Sequence, residues 1–175
     1  KRPDQEVDFL MDLFEKVFEK ELDNFNQQDI KVNIIGYKSR LPESVRRKAV
    51  KIMKMTSSNK GLTLNIALDY GGRAEITRAV KELVGDVIND KLNLDDITEE
   101  KFSNRLYTAG QPEVDLLIRP GGEYRISNFL LWQIAYAELY FSDIYWPDFT
   151  KKNFLDIIEK FQNSERRFGG LKESR

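Results

Sequence analysis

The residues best suited to chemistry surround one glycine-rich turn. An apolar run over residues 114–118 predicts a short buried strand, and a turn at Gly121 and Gly122 follows it. Arg119 and Arg125 stand on either side of this turn. A guanidinium can grip phosphate oxygens through two parallel hydrogen bonds, and it stays charged at any physiological pH. The pattern therefore predicts a cradle for a diphosphate group.

Ser127 follows the second arginine, at the point where a helix over residues 127–138 is predicted to begin. The first N–H groups of a helix lack partners within it and the helix dipole favours an anion there, so this helix start would complete the cradle. An ordinary strand-to-helix loop with two surface arginines is the alternative that the spacing leaves open. The segment fits neither the GxGxxG nor the Walker A pattern.

The amino-acid composition narrows the chemistry further. The chain has 28 Lys and Arg against 29 Asp and Glu, a net charge of −1, so it offers no general attraction for nucleic acid or an acidic membrane surface. It has no Cys and no His, which excludes disulfides, thiolate catalysis, zinc sites and an imidazole base from these residues. The remaining carboxylates, guanidiniums and hydroxyls suit Mg²⁺ held by carboxylate and phosphate oxygens.

Glu138 is the exception in an otherwise apolar segment, residues 129–141, which predicts a core helix running into a short strand. A carboxylate in apolar surroundings is costly unless it is paired or bound to a metal. The sequence leaves two interpretations open: a metal ligand, or a glutamate at a helix end that reaches solvent or an arginine.

Strands and helices alternate along the chain. Its 175 residues and 41% hydrophobic content predict one domain with a single packed core. The alternation predicts an α/β fold with a mostly parallel sheet flanked by helices, and ligands beyond the carboxyl ends of the strands. The predicted helices are one that begins near Pro3 and those over residues 42–55, 74–89, 98–107, 127–138 and 151–164, and the predicted strands cover residues 32–35, 61–68 and 114–118.

The sequence also carries signals about location and completeness. No apolar run reaches the roughly 18 residues that span a bilayer, and no signal-peptide pattern opens the chain, so we expect a cytoplasmic protein. The chain opens with Lys1, Arg2 and Pro3 rather than Met, which we interpret as a cut inside a longer protein.

Five motifs resemble the cis-prenyltransferase family, and the resemblance runs along the whole chain. The stretch from Arg119 to Glu138 is highly specific. The motifs are Asp69-Tyr70-Gly71-Gly72-Arg73, residues 118–133, Glu138-Leu139-Tyr140-Phe141, Trp146-Pro147-Asp148-Phe149 and Arg166-Arg167-Phe168-Gly169-Gly170.

The resemblance implies a parallel sheet flanked by helices that enclose a hydrophobic tunnel, in a homodimer. It implies a Mg²⁺-dependent condensation of isopentenyl diphosphate with an allylic diphosphate, which we expect to be farnesyl diphosphate. The product would be a long polyprenyl diphosphate such as undecaprenyl diphosphate, used in isoprenoid and cell wall biogenesis. We expect transient membrane contact for product release and no nucleic-acid partner.

The resemblance also implies roles for single residues. Arg119, Arg125 and Ser127 would hold isopentenyl diphosphate. Arg2 would contact the allylic diphosphate, and Glu138 would be a protein ligand to Mg²⁺. Guanidiniums and Mg²⁺ would offset charge on the departing diphosphate, and a diphosphate oxygen is the expected proton acceptor.

Two further sets of residues follow from the same resemblance. Arg167 and Gly169 would belong to a C-terminal motif that reaches across the dimer to the partner's phosphate site, with simple disorder of the tail as the alternative. For the tunnel residues, ordinary core packing is the alternative in each case. The tunnel candidates are Leu13, Phe14, Leu62 and Leu64.

The chain departs from the family pattern in three places. Asp69 stands where the family usually has Asn, and Pro120 where it often has Thr; neither change removes a charged ligand. Nothing in the chain matches the family's N-terminal strand with its essential aspartate and phosphate loop, so it has no catalytic aspartate and we expect it to be inactive alone. The competing interpretations are a non-catalytic partner subunit, although such subunits typically lose the arginines kept here, and a plain phosphate-binding module.

Overall fold

The computed structural model describes residues 3–164, and the chain divides into two compact units, Lys1–Ala109 and Gly110–Arg175. In this described part of the chain, no helix combines the length and the apolar character needed to cross a membrane. The organisation of the chain as a single domain stays a prediction.

The first unit alternates helices with two parallel strands. β1 (Lys31–Ile35) and β2 (Thr63–Ala67) pair along their full lengths. The predicted elements are confirmed here to within a few residues. The helices are α1 (Asp4–Gln27), α2 (Glu43–Met55), α3 (Gly72–Ile88) and α4 (Glu99–Ser103), with short 3₁₀ turns at Lys38–Arg40 and Leu94–Asp96.

The core of this unit lies between α1, β1 and α2. Val32 and Ile34 point inward from β1, and Val45, Ala49 and Ile52 recur on α2 at the spacing of one helix face. All five are at most 2% exposed. Burying a Val or Ile side chain contributes roughly 1.5–3 kcal/mol, so this contact fixes α2 against the strand pair.

Gly36 follows β1, and its backbone has a φ of +119°. A Cβ at this position would lie 2.0 Å from the Leu68 carbonyl oxygen, well inside van der Waals contact. The Leu68 N–H in turn donates to the Ile35 carbonyl at 2.9 Å. The chain leaving β2 therefore approaches the end of β1 so closely that only glycine fits there.

The first turn of α3 buries a carboxylate. Glu75 is 1% exposed, and it accepts hydrogen bonds from the Tyr107 N–H at 2.6 Å and from the Tyr70 hydroxyl. The Arg78 guanidinium lies 4.2 Å from the centre of the Tyr107 ring. Burial raises the pKa of the Tyr107 phenol. These contacts join the start of α3 to the chain that follows α4.

The second unit is built on another parallel strand pair. β3 (Leu116–Pro120) pairs with β4 (Glu138–Ser142), and α5 (Lys151–Gln162) follows. Thr150 caps α5, since its hydroxyl accepts from the Asn153 N–H at 3.3 Å. Both strand pairs found in residues 3–164 are parallel, which confirms the predicted α/β fold.

The predicted helix over residues 127–138 is wrong, because turns occupy most of this segment. Ser127, Asn128 and Leu130 have φ angles of +46°, +65° and +45°, outside the right-handed helical region. The Ser127 hydroxyl accepts a hydrogen bond from Arg119 instead of capping a helix. A tertiary contact thus replaces the cap on which the prediction depended.

The same segment is also less buried than its composition predicted. Phe129, Trp132 and Tyr136 are 39%, 37% and 75% exposed, whereas Ile134 is 7% exposed. Glu138 begins β4 rather than ending a helix. The prediction of a core helix in this segment is therefore wrong, and only its short strand is confirmed.

Two element boundaries differ from prediction. α4 ends at Ser103 rather than near residue 107, because the Tyr107 N–H donates to Glu75 and does not continue the helix. β3 lies two residues later than predicted, so Arg119 belongs to the strand instead of following it. Its last residue is Pro120, which has no N–H to donate to a strand ladder.

Candidate diphosphate site

Three predicted ligands of a diphosphate meet at the end of β3. Arg119 pairs with Phe141 of β4. Its Nη1 donates to the Ser127 hydroxyl at 2.9 Å and to the backbone carbonyl of Arg125. These bonds hold the guanidinium against the loop that follows the strand. Arg119, Arg125 and Ser127 are therefore neighbours, as the sequence predicts.

The loop between the two arginines has a defined shape. Gly121 and Gly122 have φ angles of +105° and +71°, a region that favours glycine. The Tyr124 hydroxyl donates to Asp143 Oδ1 at 3.0 Å, and its ring centre lies 5.6 Å from that of Phe141. These contacts fix the loop against β4 and the turn after it.

Carboxylates offset part of the positive charge of this loop. Arg125 forms an ion pair with Glu123, and both side chains are largely exposed. The hydrogen bond to Asp143 and the charge of that carboxylate raise the pKa of the Tyr124 phenol. An anion that binds Arg125 must therefore share this guanidinium with Glu123 or displace it. Arg119 forms no ion pair with any side chain that the structure describes, so no carboxylate has to be displaced before it binds an anion.

Glu138 lies apart from the arginines. It is the first residue of β4, it pairs with Leu116, and its half-buried carboxylate accepts a hydrogen bond from the Ser164 hydroxyl. Arg119 is three ladder positions further along, about 10 Å at the usual rise of a strand. An odd offset also places the two side chains on opposite faces of the strand pair. Of the four predicted ligands that lie in residues 3–164, the structure therefore joins three and separates Glu138 from them.

The donor set of Glu138 fits Mg²⁺. Residues 3–164 contain no cluster of three or more His, Cys, Asp or Glu side chains able to hold a metal ion. Mg²⁺ does not require such a cluster, because it usually takes one or two protein carboxylates and completes its octahedron with water and phosphate oxygens. A single half-buried carboxylate is compatible with that coordination.

The four tunnel candidates have different surroundings. Leu13 and Leu62 are 45% and 65% exposed. Phe14 packs against the core of the first unit, with its ring centre 6.0 Å from that of Phe18, which supports the core-packing alternative. Leu64 is half-buried in β2. None of the four lines either of two cavities of about 360 Å³ along α3, so the tunnel stays a prediction.

Three predicted site residues fall at the chain ends. Arg2, Arg167 and Gly169 lie outside the described residues, and their roles stay predictions.

Sequence reasoning missed the three side chains that shape the loop. Glu123 could have been found, because a carboxylate two residues from Arg125 can reach it. The contact between Tyr124 and Asp143 joins residues 19 positions apart and gave no local signal.

Comparison with known proteins identifies the family. The family described as "Putative undecaprenyl diphosphate synthase" matches residues 1–169. The chain belongs to this prenyltransferase family. The isoprenyl transferase of Clostridium perfringens is 46% identical over 98% of this chain and 68% of its own length. That of Geobacillus kaustophilus is 49% identical over 98% of this chain and 66% of its own length.

Solved prenyltransferase structures show the same fold. Lavandulyl diphosphate synthase from Lavandula x intermedia, in complex with dimethylallyl diphosphate, gives a TM-score of 0.93 at 38% identity, covering 97% of this chain and 73% of that one. A probable undecaprenyl diphosphate synthase from Campylobacter jejuni gives 0.83 at 40% identity, covering 96% and 76%.

These similarities confirm three predictions made from the sequence. The resemblance to cis-prenyltransferases is confirmed, as are the α/β fold and the expectation of a prenyltransferase. The chain spans about two thirds of the length of the two curated relatives described above.

Proposed function

We propose that this prenyltransferase elongates cis-prenyl chains by condensing isopentenyl diphosphate with an allylic diphosphate, farnesyl diphosphate being the expected one. The product would be a long polyprenyl diphosphate such as undecaprenyl diphosphate. The observation that carries the proposal is the grouping of Arg119, Arg125 and Ser127 around one glycine-rich loop in a member of this family.

Arg119 is the main proposed ligand of the phosphate groups. Its Nη1 is occupied by Ser127 and by the Arg125 carbonyl. A guanidinium has five N–H donors, so three remain, on Nε and Nη2, and these make no hydrogen bond to the described residues. The two bonds of Nη1 hold the planar guanidinium in place, and the three remaining donors are available to an incoming phosphate. Arg125 adds a second guanidinium, for which the diphosphate competes with Glu123.

Binding in this position leaves the alkene of isopentenyl diphosphate to react. Its double bond attacks the allylic carbon that carries the leaving diphosphate, the carbon–oxygen bond breaks, and a proton is lost to give a cis double bond. No histidine or cysteine exists in the chain to accept that proton, so we assign it to a diphosphate oxygen. The arginines stabilise the negative charge of the bound isopentenyl diphosphate throughout.

We further propose that Glu138 is a protein ligand to Mg²⁺. When bound, the ion would offset charge on a diphosphate. Glu138→Gln keeps the shape of the side chain and removes its charge, so it should raise the Mg²⁺ concentration needed for half-maximal activity of the full-length protein. An unchanged Mg²⁺ titration would contradict the assignment.

Titration calorimetry of the 175-residue chain with isopentenyl diphosphate tests the site directly. Each charge-assisted hydrogen bond lost should cost roughly 1.5–3 kcal/mol, so Arg119→Ala should raise Kd at least about tenfold. Arg46→Ala is the control, because it removes the same charge from an exposed arginine of α2, outside the loop. An equal loss in the control would remove the site assignment.

Incorporation of labelled isopentenyl diphosphate by the full-length protein tests the activity. Arg119→Ala should weaken isopentenyl diphosphate far more than the allylic substrate. Equal losses for both substrates would contradict the assignment to one diphosphate. Incorporation that requires a second added polypeptide would support the non-catalytic partner subunit instead.

The setting of the enzyme is also a proposal. We expect a cytoplasmic homodimer that contacts the membrane transiently during product release and has no nucleic-acid partner. Light scattering coupled to gel filtration of the full-length protein would report the dimer, and a monomer at all concentrations would contradict it.

A further inference from the structure

Helix α2 carries an unbalanced positive charge. Its sequence contains five Lys and Arg and one Glu, a net charge of +4, in a chain whose net charge is −1. The charge is therefore concentrated on one short element and does not reflect the composition of the chain.

The fold turns most of this charge outward. Val45, Ala49 and Ile52 fix one face of α2 against the core. The opposite face, at about half a turn from it, consists of four exposed side chains. This outward face of α2 consists of Arg47, Val50, Lys51 and Lys54.

The cations of the outward face are not neutralised locally. The acidic residue of α2, Glu43, forms its ion pair with Arg46 at the edge of the face. Among the side chains that the structure describes, Arg47, Lys51 and Lys54 have no ion-pair partner. Three like charges within two helical turns repel one another, so an anionic partner would relieve a real electrostatic cost.

Apolar side chains stand among these cations. Val50 is 53% exposed on the outward face, one helical turn from both Arg47 and Lys54, and Met55 at the helix end is 45% exposed. The phosphates of a duplex nucleic acid would contact the cations, but Val50 would stay exposed to water. A bilayer surface can contact both the cations and Val50, because it has phosphate groups at its surface and acyl chains below them.

We propose that the outward face of α2 docks on the surface of a bilayer that contains anionic phospholipids. This deepens the membrane contact included in the proposed function, on which it rests, since it assigns that contact to residues distant in sequence from the arginine loop. The interaction has two components, attraction of three cations to lipid phosphates and shallow insertion of Val50.

Vesicle co-sedimentation of the 175-residue chain tests the proposal. Vesicles of phosphatidylcholine alone are compared with equimolar phosphatidylcholine and phosphatidylglycerol. Each cation near an anionic surface strengthens partitioning roughly fivefold, so Arg47→Gln/Lys51→Gln/Lys54→Gln should lower the partition coefficient roughly a hundredfold. Val50→Ser keeps the charge and should lower it severalfold. Binding should rise with the phosphatidylglycerol fraction and fall with added salt.

The matched control removes the same charge elsewhere. Lys81, Lys91 and Lys101 are exposed in the same unit, and Lys81→Gln/Lys91→Gln/Lys101→Gln should leave most of the binding intact. An equal loss in this control would mean that net charge rather than α2 drives binding, and would overturn the proposal. Equal binding to both vesicles would overturn it, as would binding to labelled duplex DNA without binding to vesicles. The readout is binding and not turnover, so its failure leaves the proposed catalytic function untouched.

Discussion

Two anions compete for Arg125: Glu123, which it contacts in the structure, and the diphosphate proposed to bind the loop. An exposed ion pair of this kind contributes about 0–1 kcal/mol, whereas a charge-assisted bond to phosphate contributes more. In the proposed complex, the competition would therefore lower the affinity for isopentenyl diphosphate without preventing binding.

Removing the competitor should strengthen substrate binding. Glu123→Gln is expected to lower the Kd for isopentenyl diphosphate by up to about fivefold, measured by titration calorimetry. Glu43→Gln is the control, because Glu43 forms a similarly exposed pair with Arg46 outside the site. Weaker binding of the Glu123 variant would show that Glu123 positions Arg125 instead of competing for it.

The phenol of Tyr124 reports on the same loop. Its hydroxyl donates to the Asp143 carboxylate, and losing its proton would break that bond and place two negative charges side by side, so its pKa lies above the usual value of about 10. Asp143→Asn should lower the Tyr124 pKa towards that value, as followed by NMR of ring-labelled tyrosine. An unchanged titration would mean that the hydrogen bond is not formed in solution.

At the scale of elements, Gly36 fixes how the chain passes from β1 and meets the chain leaving β2. Gly36→Ala forces a Cβ into the Leu68 carbonyl at a positive φ. It should lower the free energy of unfolding in urea by at least roughly 1–3 kcal/mol. Gly85→Ala is the control, since a Cβ there meets nothing within 4 Å and should stabilise α3 by about 0.5–1 kcal/mol. Equal effects of the two substitutions would contradict this account.

The elements also show what the sequence could and could not predict. Apolar periodicity was enough to predict α2 and β1, because the buried residues of both elements follow the apolar pattern of the sequence. It failed over residues 127–138, where composition favoured a helix but Arg119 takes the Ser127 hydroxyl that would have capped it. The local sequence pattern contains no information about this hydrogen bond between a turn residue and a residue of β3 eight positions earlier. The same limit applies to Glu75, whose burial depends on Tyr107.

Some properties belong to the whole molecule and are visible neither in single residues nor in single elements. The chain has a net charge of −1, although α2 alone has a net charge of +4. The composition argued against attraction to an acidic membrane surface, but that argument does not apply to this helix. Similarity to the family is also a property of the whole chain, because the TM-score of 0.93 depends on the fold of the chain rather than on any one motif.

Product release should limit turnover of the full-length enzyme if the growing chain is buried in a tunnel. Each methylene buried contributes about 0.8 kcal/mol, so every added five-carbon unit tightens product binding by a few kcal/mol. Leu62→Phe should then shorten the product and speed its release. Leu94→Phe is the control, at another exposed leucine. Absence of a product burst in the first turnover, with no acceleration by detergent, would contradict the tunnel.

The hydrogen bond between Glu75 and Tyr107 has a consequence for backbone exchange with solvent. Amide protons in irregular turns normally exchange with deuterium quickly, because small openings expose them. The Tyr107 amide lies in such a turn, after the end of α4, but it donates to a carboxylate that is 1% exposed. It can exchange only when the packing around the first turn of α3 opens. Deuterium labelling should therefore find one slow amide among fast neighbours, and place that turn in the same cooperative unit as α3.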